Sequence, residues 1–238
     1  MFSSSFAAAT YIKQVLKPQA PRNKVFVIGE KGVEDELRAA GLPYAGGTDH
    51  AVHRLDTSAE EEEGIADGRL LDPNVSVVLC SIDRYVNYRK LAMALAYIKR
   101  GAVFLATNSD TTLPAGRTPQ AVLPGSMCCW GGLTRALDQV PVSLGKPNAS
   151  LMDVIEAAVP AIDRARTCMV GDRLNTDIRF VHTAGLGGGL AVLTGVSKET
   201  EVLAAEPQEM PDVYVSRLSD LLPALATEAA AEPAESRR

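Results

Sequence analysis

The sequence of residues 167–177 reads Thr-Cys-Met-Val-Gly-Asp-Arg-Leu-Asn-Thr-Asp. Its first four residues predict a short strand, after which Gly171 lets the chain turn sharply. Asp172 would then lie at the carboxyl edge of a sheet, where open α/β folds bind their ligands. Asp177 falls in the first turn of the next helix, where the helix dipole favours an anion.

Two interpretations of this run stay open. Two carboxylates that converge at a strand end are hard oxygen ligands suited to Mg²⁺. A capped helix explains the same residues if Asp172 and Asn175 accept hydrogen bonds from free amides at the helix start. The run by itself does not separate a metal site from a helix cap.

Short apolar runs alternate with amphipathic stretches along most of the chain, which predicts an α/β protein with a largely parallel sheet. The predicted strands are 24–28, 75–80, 103–106, 140–144, 167–170, 190–193 and 213–215. The predicted helices are 32–40, 88–99, 133–137, 150–159, 176–184 and 219–225. Two long connections interrupt the pattern, an acidic one at 46–68 and one rich in Pro and Gly at 108–125.

Composition narrows the class of protein. The chain has 238 residues, of which 46% are hydrophobic and 22% charged, as expected for a globular protein. A net charge of −5 and an aromatic content of 5% argue against a nucleic-acid surface. No apolar run approaches the ~18 residues that a membrane span needs. We therefore expect neither a nucleic-acid nor a membrane partner.

The four cysteines, at 80, 128, 129 and 168, form no Cys-x-x-Cys pair. Side chains of the neighbours Cys128 and Cys129 point apart, which disfavours a disulfide, so a reducing cytoplasmic location is expected. Cys80 and Cys168 are predicted to be small buried core residues. The Ser- and Ala-rich residues 1–17 fit either a helix with a serine cap or a targeting segment.

A second candidate functional segment, Gly145-Lys146-Pro147-Asn148, follows the predicted strand at 140–144. Pro147 removes one amide and fixes the local backbone, so Lys146 would project from another strand end. A phosphate held beside Mg²⁺ needs a further cation to offset its charge, and this lysine could supply it. A lone lysine is otherwise a solvated surface residue.

Several segments, in order along nearly the whole chain, resemble the haloacid dehalogenase (HAD) superfamily of phosphatases. Within it they resemble the branch with a large α/β cap, which contains phosphoglycolate phosphatases and 4-nitrophenylphosphatases. The segments are Phe2 to Ala9, Val27 to Gly32, Asp83-Arg84 with Tyr88 to Leu91, Ala106 to Asp110, Gly145-Lys146-Pro147, Gly171 to Asp177 and Leu193 to Val196. The resemblance implies a Rossmann-like core together with an α/β cap domain.

The resemblance also implies roles for five residues. Lys146 would stabilise an aspartyl nucleophile and bind the phosphoryl group, Asp172 would bind Mg²⁺, and Asp177 would orient metal-bound water or the lysine. Asn108 and Asp110 belong to a cap segment on the substrate side. The implied activity is Mg²⁺-dependent hydrolysis of a small phosphorylated metabolite such as 2-phosphoglycolate, with 4-nitrophenyl phosphate as a surrogate.

Part of the family's catalytic set has no counterpart in the sequence. The family uses a nucleophilic aspartate and a second aspartate two residues later as general acid and base. No Asp-x-Asp follows an apolar strand here, and Asp83 has Tyr85 where the second carboxylate should be. We therefore expect residues 1–139 to be the cap, 140–226 the C-terminal half of the core and 227–238 a disordered tail. No hydrolysis is expected from this chain as written.

Two further expectations follow from the resemblance. The family's nucleophile strand lies beside the strand that carries Asp172, so without it an apolar edge would be exposed and the chain would aggregate unless another chain covers it. The family usually has Gly-x-Gly near Pro124 to Trp130, where Met127 replaces the second glycine. That substitution leaves the local backbone undetermined.

A rival hypothesis makes the chain a non-catalytic binding or assembly module. The resemblance implies a cap that can mediate dimer formation. On this hypothesis the chain forms a homodimer through the cap, or it pairs with or competes against an intact relative. A truncated gene model is a third explanation of the same sequence.

Overall fold

The computed structural model describes residues 3–53, 56–116, 118 and 121–222. Phe2 and the predicted tail at 227–238 lie outside these residues. The chain divides into two compact units. The first contains the described residues up to Gly145 together with Ser150–Val159, and the second contains Lys146–Ala149 together with the described residues from Pro160 onward. The proposed boundary after residue 139 stays a prediction.

The first unit contains six helices and seven strands among its described residues. The helices are α1 (Ser4–Tyr11), α2 (Lys31–Ala39), α3 (Ala59–Asp67), α4 (Tyr88–Lys99), α5 (Gly131–Leu137) and α6 (Ser150–Ala158). The strands are β1 (Lys24–Ile28), β2 (Tyr44–Gly46), β3 (Val75–Cys80), β4 (Val103–Ala106), β5 (Thr112–Pro114), β6 (Val122–Pro124) and β7 (Val142–Ser143). The second unit contains β8 (Cys168–Gly171), α7 (Arg179–Ala184), β9 (Gly188–Val192), α8 (Glu199–Leu203) and β10 (Val213–Val215).

Five parallel strands form the central sheet of the first unit, in the order β2-β1-β3-β4-β7. Successive side chains of β3 point to opposite faces of this sheet. Val77 and Leu79 pack with residues of α1 and α2, whereas Val78 and Cys80 pack with residues of α4 and α5. Because both faces are buried, β3 is an apolar run rather than an alternating one. The predicted α/β fold with a parallel sheet is confirmed.

Serine caps begin two of the helices. Ser3 Oγ accepts a hydrogen bond from the amide of Phe6 at 3.0 Å and starts α1, which confirms the predicted serine-capped helix. Ser58 and Glu61 form a capping box at the start of α3. The acidic connection at 46–68 therefore contains a regular helix. The glutamates in its first turn stabilise it, because negative side chains interact favourably with the helix dipole at the N-terminus.

An antiparallel hairpin of β5 and β6 lies within the connection at 108–125, where no strand was predicted. Pro114 and Pro124 are the last residues of these short strands, and β6 is exposed throughout. The pairing of β5 with β6 was missed because proline residues and exposed segments are typical of loops. Beyond the hairpin, the amide of Met127 donates to the carbonyl of Asp110 at 3.0 Å and a 3₁₀ turn spans Ser126–Cys129. The backbone therefore accommodates Met127 without a glycine.

The sheet of the second unit has three parallel strands in the order β10-β9-β8. Among the described strands β8 pairs with β9 alone, so one of its edges has no partner strand. Val170 on β8 is 43% exposed, and Cys168 is exposed rather than buried. The prediction that Cys168 is a core residue was wrong because an apolar strand was assumed to be covered on both sides. The prediction was right for Cys80, which lies at the end of the central β3.

The four cysteines are free thiols. Among the described residues, no helix combines the length and the hydropathy needed to span a bilayer.

Candidate functional site

Lys146 and Asp177 form an ion pair within the second unit. Lys146 Nζ lies 2.5 Å from Asp177 Oδ1, and the two side chains are 38% and 7% exposed. The lysine follows the strand β7 and Gly145, whereas the aspartate lies in the helical turn of residues 174–178 that follows β8. Residues that are far apart in sequence thus place one cation and one carboxylate together at the end of β8.

Asp177 also holds the turn that follows β8. Its Oδ2 accepts hydrogen bonds from the amides of Asp172 and Arg173, both at 3.1 Å. Gly171 allows this approach, since a Cβ at that position would overlap the side chain of Asp177. The helix-cap interpretation, in which Asp172 accepts hydrogen bonds from amides at the helix start, is therefore corrected. Asp177 accepts those hydrogen bonds, and the carboxylate of Asp172 accepts one from the amide of Val196 instead.

The carboxylate of Asp172 faces the loop after β9. Asp172 Oδ2 accepts a hydrogen bond from the amide of Val196 at 2.9 Å. The carbonyl of Asp172 accepts one from the amide of Ser197, also at 2.9 Å, and Ser197 Oγ accepts one from the amide of Leu174 at 3.2 Å. Within the described part of the chain, Asp172 Oδ1 has no hydrogen-bond partner.

One oxygen of Asp172 is therefore available to an added ligand. Mg²⁺ is commonly held by one or two carboxylates, with waters and a substrate phosphate completing its shell. Asp172 fits the role of one such ligand. The described residues contain no group of three His, Cys, Asp or Glu side chains that could hold a metal by themselves. Asp177 is occupied by Lys146, so the second carboxylate of the sequence motif acts on the lysine in this structure.

Asn108 and Asp110, the predicted substrate contacts, belong to the first unit and follow β4. Asn108 Oδ1 accepts a hydrogen bond from the amide of Asp110 at 3.1 Å. The preceding Thr107 is buried, and its hydroxyl donates to Ser81 Oγ at 3.0 Å across the neighbouring strand end. These bonds fix a polar turn at the carboxyl edge of the first sheet. The contact of this turn with substrate stays a prediction.

The first unit contains a buried ion pair that was not predicted from the sequence. Lys90 Nζ lies 2.7 Å from Asp83 Oδ2, and the two side chains are 0% and 1% exposed. Asp83 lies three residues after the end of β3 and also accepts a hydrogen bond from the amide of Tyr85 at 2.8 Å. Lys90 comes from the first turn of α4. A lysine in the first turn of a helix, directly before the apolar run of residues 91–98, is an ordinary surface pattern, so its burial was not foreseeable.

A model of the HAD-hydrolase-like family matches residues 143–221. A 4-nitrophenylphosphatase of Schizosaccharomyces pombe is 44% identical over 222 residues, which cover 93% of this chain and 71% of that protein. The chloroplastic phosphoglycolate phosphatase 1A of Arabidopsis thaliana is 36% identical over 226 residues, covering 93% of this chain and 59% of that protein. The chain thus spans roughly three fifths to seven tenths of the lengths of these relatives.

The fold of the chain is also similar to those of solved structures. A hypothetical protein of Pyrococcus horikoshii matches with a TM-score of 0.73 and 29% identity, over 94% of this chain and 74% of that one. A glycerol phosphate phosphatase of Mycobacterium tuberculosis in complex with magnesium matches with a TM-score of 0.69 and 28% identity, over 92% and 56%. The chain belongs to the HAD-like phosphatases, a family of hydrolases. Among its members, the chain is similar to 4-nitrophenylphosphatases and phosphoglycolate phosphatases.

Proposed function

We propose that the second unit carries the phosphate- and metal-binding part of a Mg²⁺-dependent phosphomonoester phosphatase. The ion pair of Lys146 with Asp177, whose carboxylate also accepts a hydrogen bond from the backbone amide of Asp172, carries this proposal. A phosphate monoester has nearly two negative charges near pH 7, because its second pKa is about 6. A lysine ammonium and one divalent cation match that charge.

Lys146 is the phosphate ligand in this proposal. An ammonium group has three donors, and in the described residues Lys146 Nζ uses one of them, on Asp177. Because its side chain is 38% exposed, the remaining donors can reach a phosphoryl oxygen. Asp177 keeps the amine in place, since its own side chain is fixed by two backbone amides. A fixed cation costs little reorganisation when charge develops on the phosphoryl group.

Asp172 is the metal ligand in this proposal. Its Oδ1 is available, and its position is set by hydrogen bonds to its carboxylate, its amide and its carbonyl. Mg²⁺ bound here would add positive charge beside the phosphoryl oxygens. Asn108 and Asp110 are proposed to contact the organic part of a small phosphorylated metabolite of the 2-phosphoglycolate class, by analogy with the named relatives.

The nucleophile is not among these residues. Phosphoryl transfer through a covalent intermediate needs a carboxylate nucleophile, and the 238 residues contain no Asp-x-Asp after an apolar strand. Asp83, the carboxylate that follows β3, is buried against Lys90. We therefore propose that this chain by itself binds a phosphate ester without hydrolysing it, and that turnover needs an aspartate from another segment.

A hydrolysis assay tests this proposal. The purified 238-residue chain is incubated with 4-nitrophenyl phosphate and with 2-phosphoglycolate, with Mg²⁺ and with EDTA, and the S. pombe 4-nitrophenylphosphatase serves as the positive control. We expect turnover at least several powers of ten below that of the control. Mg²⁺-dependent turnover that disappears in the Asp172→Asn variant would show that this chain supplies its own nucleophile and would overturn the proposed lack of activity.

A further inference from the structure

Residues 195–197, the loop that follows β9, surround Asp172 on one side. Val196 contributes its amide to Asp172 Oδ2, and Ser197 contributes its amide to the Asp172 carbonyl, each at 2.9 Å. Ser197 is 9% exposed, and its hydroxyl accepts a hydrogen bond from the amide of Leu174 at 3.2 Å. The loop therefore binds both the backbone and the side chain of Asp172.

Gly195 lies against the carboxylate of Asp172. A Cβ at this position would overlap Asp172 Oδ2 and come within 2.6 Å of Asp172 Cβ. The backbone of Gly195 does not adopt the left-handed conformation that favours glycine. A glycine is needed here for space, so that the carboxylate can approach the loop closely enough to reach the amide of Val196.

We propose that Gly195, Val196 and Ser197 form a positioning element that selects which oxygen of Asp172 is presented to a cation. The Val196 amide occupies Oδ2, and Oδ1 is left for the ligand. A second contact also holds Asp172, since its own amide donates to Asp177 Oδ2 at 3.1 Å. The identity of the cation rests on the proposed function, whereas the fixed orientation of the carboxylate does not.

Amide hydrogen exchange tests the orientation without any metal. Because the Val196 amide is bonded to Asp172 Oδ2, we expect it to exchange at least about tenfold faster in Gly195→Ala and in Asp172→Ala than in the wild type. The matched control is Gly188→Ala on β9, where a Cβ would meet only ordinary contacts at 3.6 and 4.0 Å. Equal Val196 exchange rates in the wild type and in Asp172→Ala would overturn the proposal.

A calorimetric titration with Mg²⁺ tests whether this orientation of Asp172 strengthens metal binding. Gly195→Ala should bind Mg²⁺ at least about tenfold more weakly than the wild type, whereas Gly188→Ala should bind it equally well. Thermal melts of the three proteins show whether a variant has simply unfolded. Unchanged Mg²⁺ affinity in a folded Gly195→Ala variant would contradict the positioning role. Failure of the wild type to bind Mg²⁺ would count against the proposed function, and the exchange experiment would still decide the orientation of Asp172.

Discussion

Lys146 and Asp177 are 31 positions apart in the chain, and their charged atoms lie 2.5 Å apart in the second unit. Lys146 comes from the loop after β7 and Asp177 from the helical turn after β8, so the fold and not the local sequence brings them together. Because Asp177 also binds the amides of Asp172 and Arg173, this one carboxylate joins the lysine to the turn that carries the proposed metal ligand.

Replacing Lys146 by methionine should destabilise the protein. Asp177 is only 7% exposed and would keep its amide donors but lose its cation, so the expected loss is about 1–3 kcal/mol in the free energy of unfolding. Urea unfolding at pH 7 measures it. The control is Lys31→Met, which removes a lysine from an exposed pair with Asp35 on α2. Equal unfolding midpoints for Lys146→Met and the control would contradict a structural ion pair at the site.

The buried pair of Lys90 and Asp83 should show strong coupling. Lys90→Met leaves the Asp83 carboxylate, 1% exposed, without its cation, and the expected loss is about 3–5 kcal/mol. Adding Asp83→Asn removes the uncompensated charge while an acceptor for the Tyr85 amide remains. The double variant should therefore be more stable than Lys90→Met alone. Additive losses in a double-mutant cycle would show that the two groups do not interact.

A pH dependence is expected from Asp72. The hydrogen bond from Lys24, at 2.5 Å, lowers the pKa of the Asp72 carboxyl, and the amide of Asn74 acts in the same direction. A carboxyl with a lowered pKa in the folded state stabilises the fold above its unfolded pKa of about 3.9, and this stabilisation is lost as the pH falls through the folded value.

Lys24→Met should therefore cost about 0.2–1 kcal/mol at pH 7. The difference from the wild type should shrink as the pH falls below about 3.9 and disappear once the pH is below the lowered pKa of Asp72 in the folded state. Thermal melts across this range measure the difference. Lys13→Met, at an exposed site on the helical segment after α1, is the control. A difference that stays constant from pH 7 to pH 2 would rule out the Asp72 carboxylate as its source.

The unpaired edge of β8 should promote self-association. Val170 is 43% exposed on an edge strand of a parallel sheet, a class of sheet that is normally covered. Light scattering should show concentration-dependent association that decreases in Val170→Lys, because a charge on an edge strand opposes further pairing. Leu203→Lys on α8 removes a more exposed apolar side chain away from this edge, and it should not reduce association. A monodisperse wild-type monomer with a cooperative melt would refute this prediction.

Much of the fold followed from hydrophobic patterning. Strand β3 and helix α4 have the predicted bounds, because a buried strand and an amphipathic helix with an Asn87 cap carry strong local signals. The hairpin of β5 and β6 was missed because its stability comes from pairing between two short exposed segments that contain proline. The burial of Cys168 was predicted wrongly because a strand's apolar sequence does not show how many neighbours it has.

The residues of the candidate site could be predicted from the sequence, but the contacts between them could not. The sequence placed Asp172 and Asp177 after one strand and Lys146 after another, and strand-end topology suggested that they converge. The sequence could not assign the hydrogen bonds, since Asp172 and Asp177 are both acidic residues near a helix start. Only the structure shows that Asp177 binds the backbone amides and the lysine while Asp172 keeps one oxygen available.

Binding of inorganic phosphate in the presence of Mg²⁺, measured by calorimetry, tests most directly whether Lys146 and Asp172 form a phosphate and metal site. We expect binding by the wild type with Mg²⁺, little binding with EDTA, and an affinity at least about tenfold lower in Lys146→Met and in Asp172→Asn. Phosphate binding that is the same in the wild type and both folded variants, or that needs no Mg²⁺, would contradict the account.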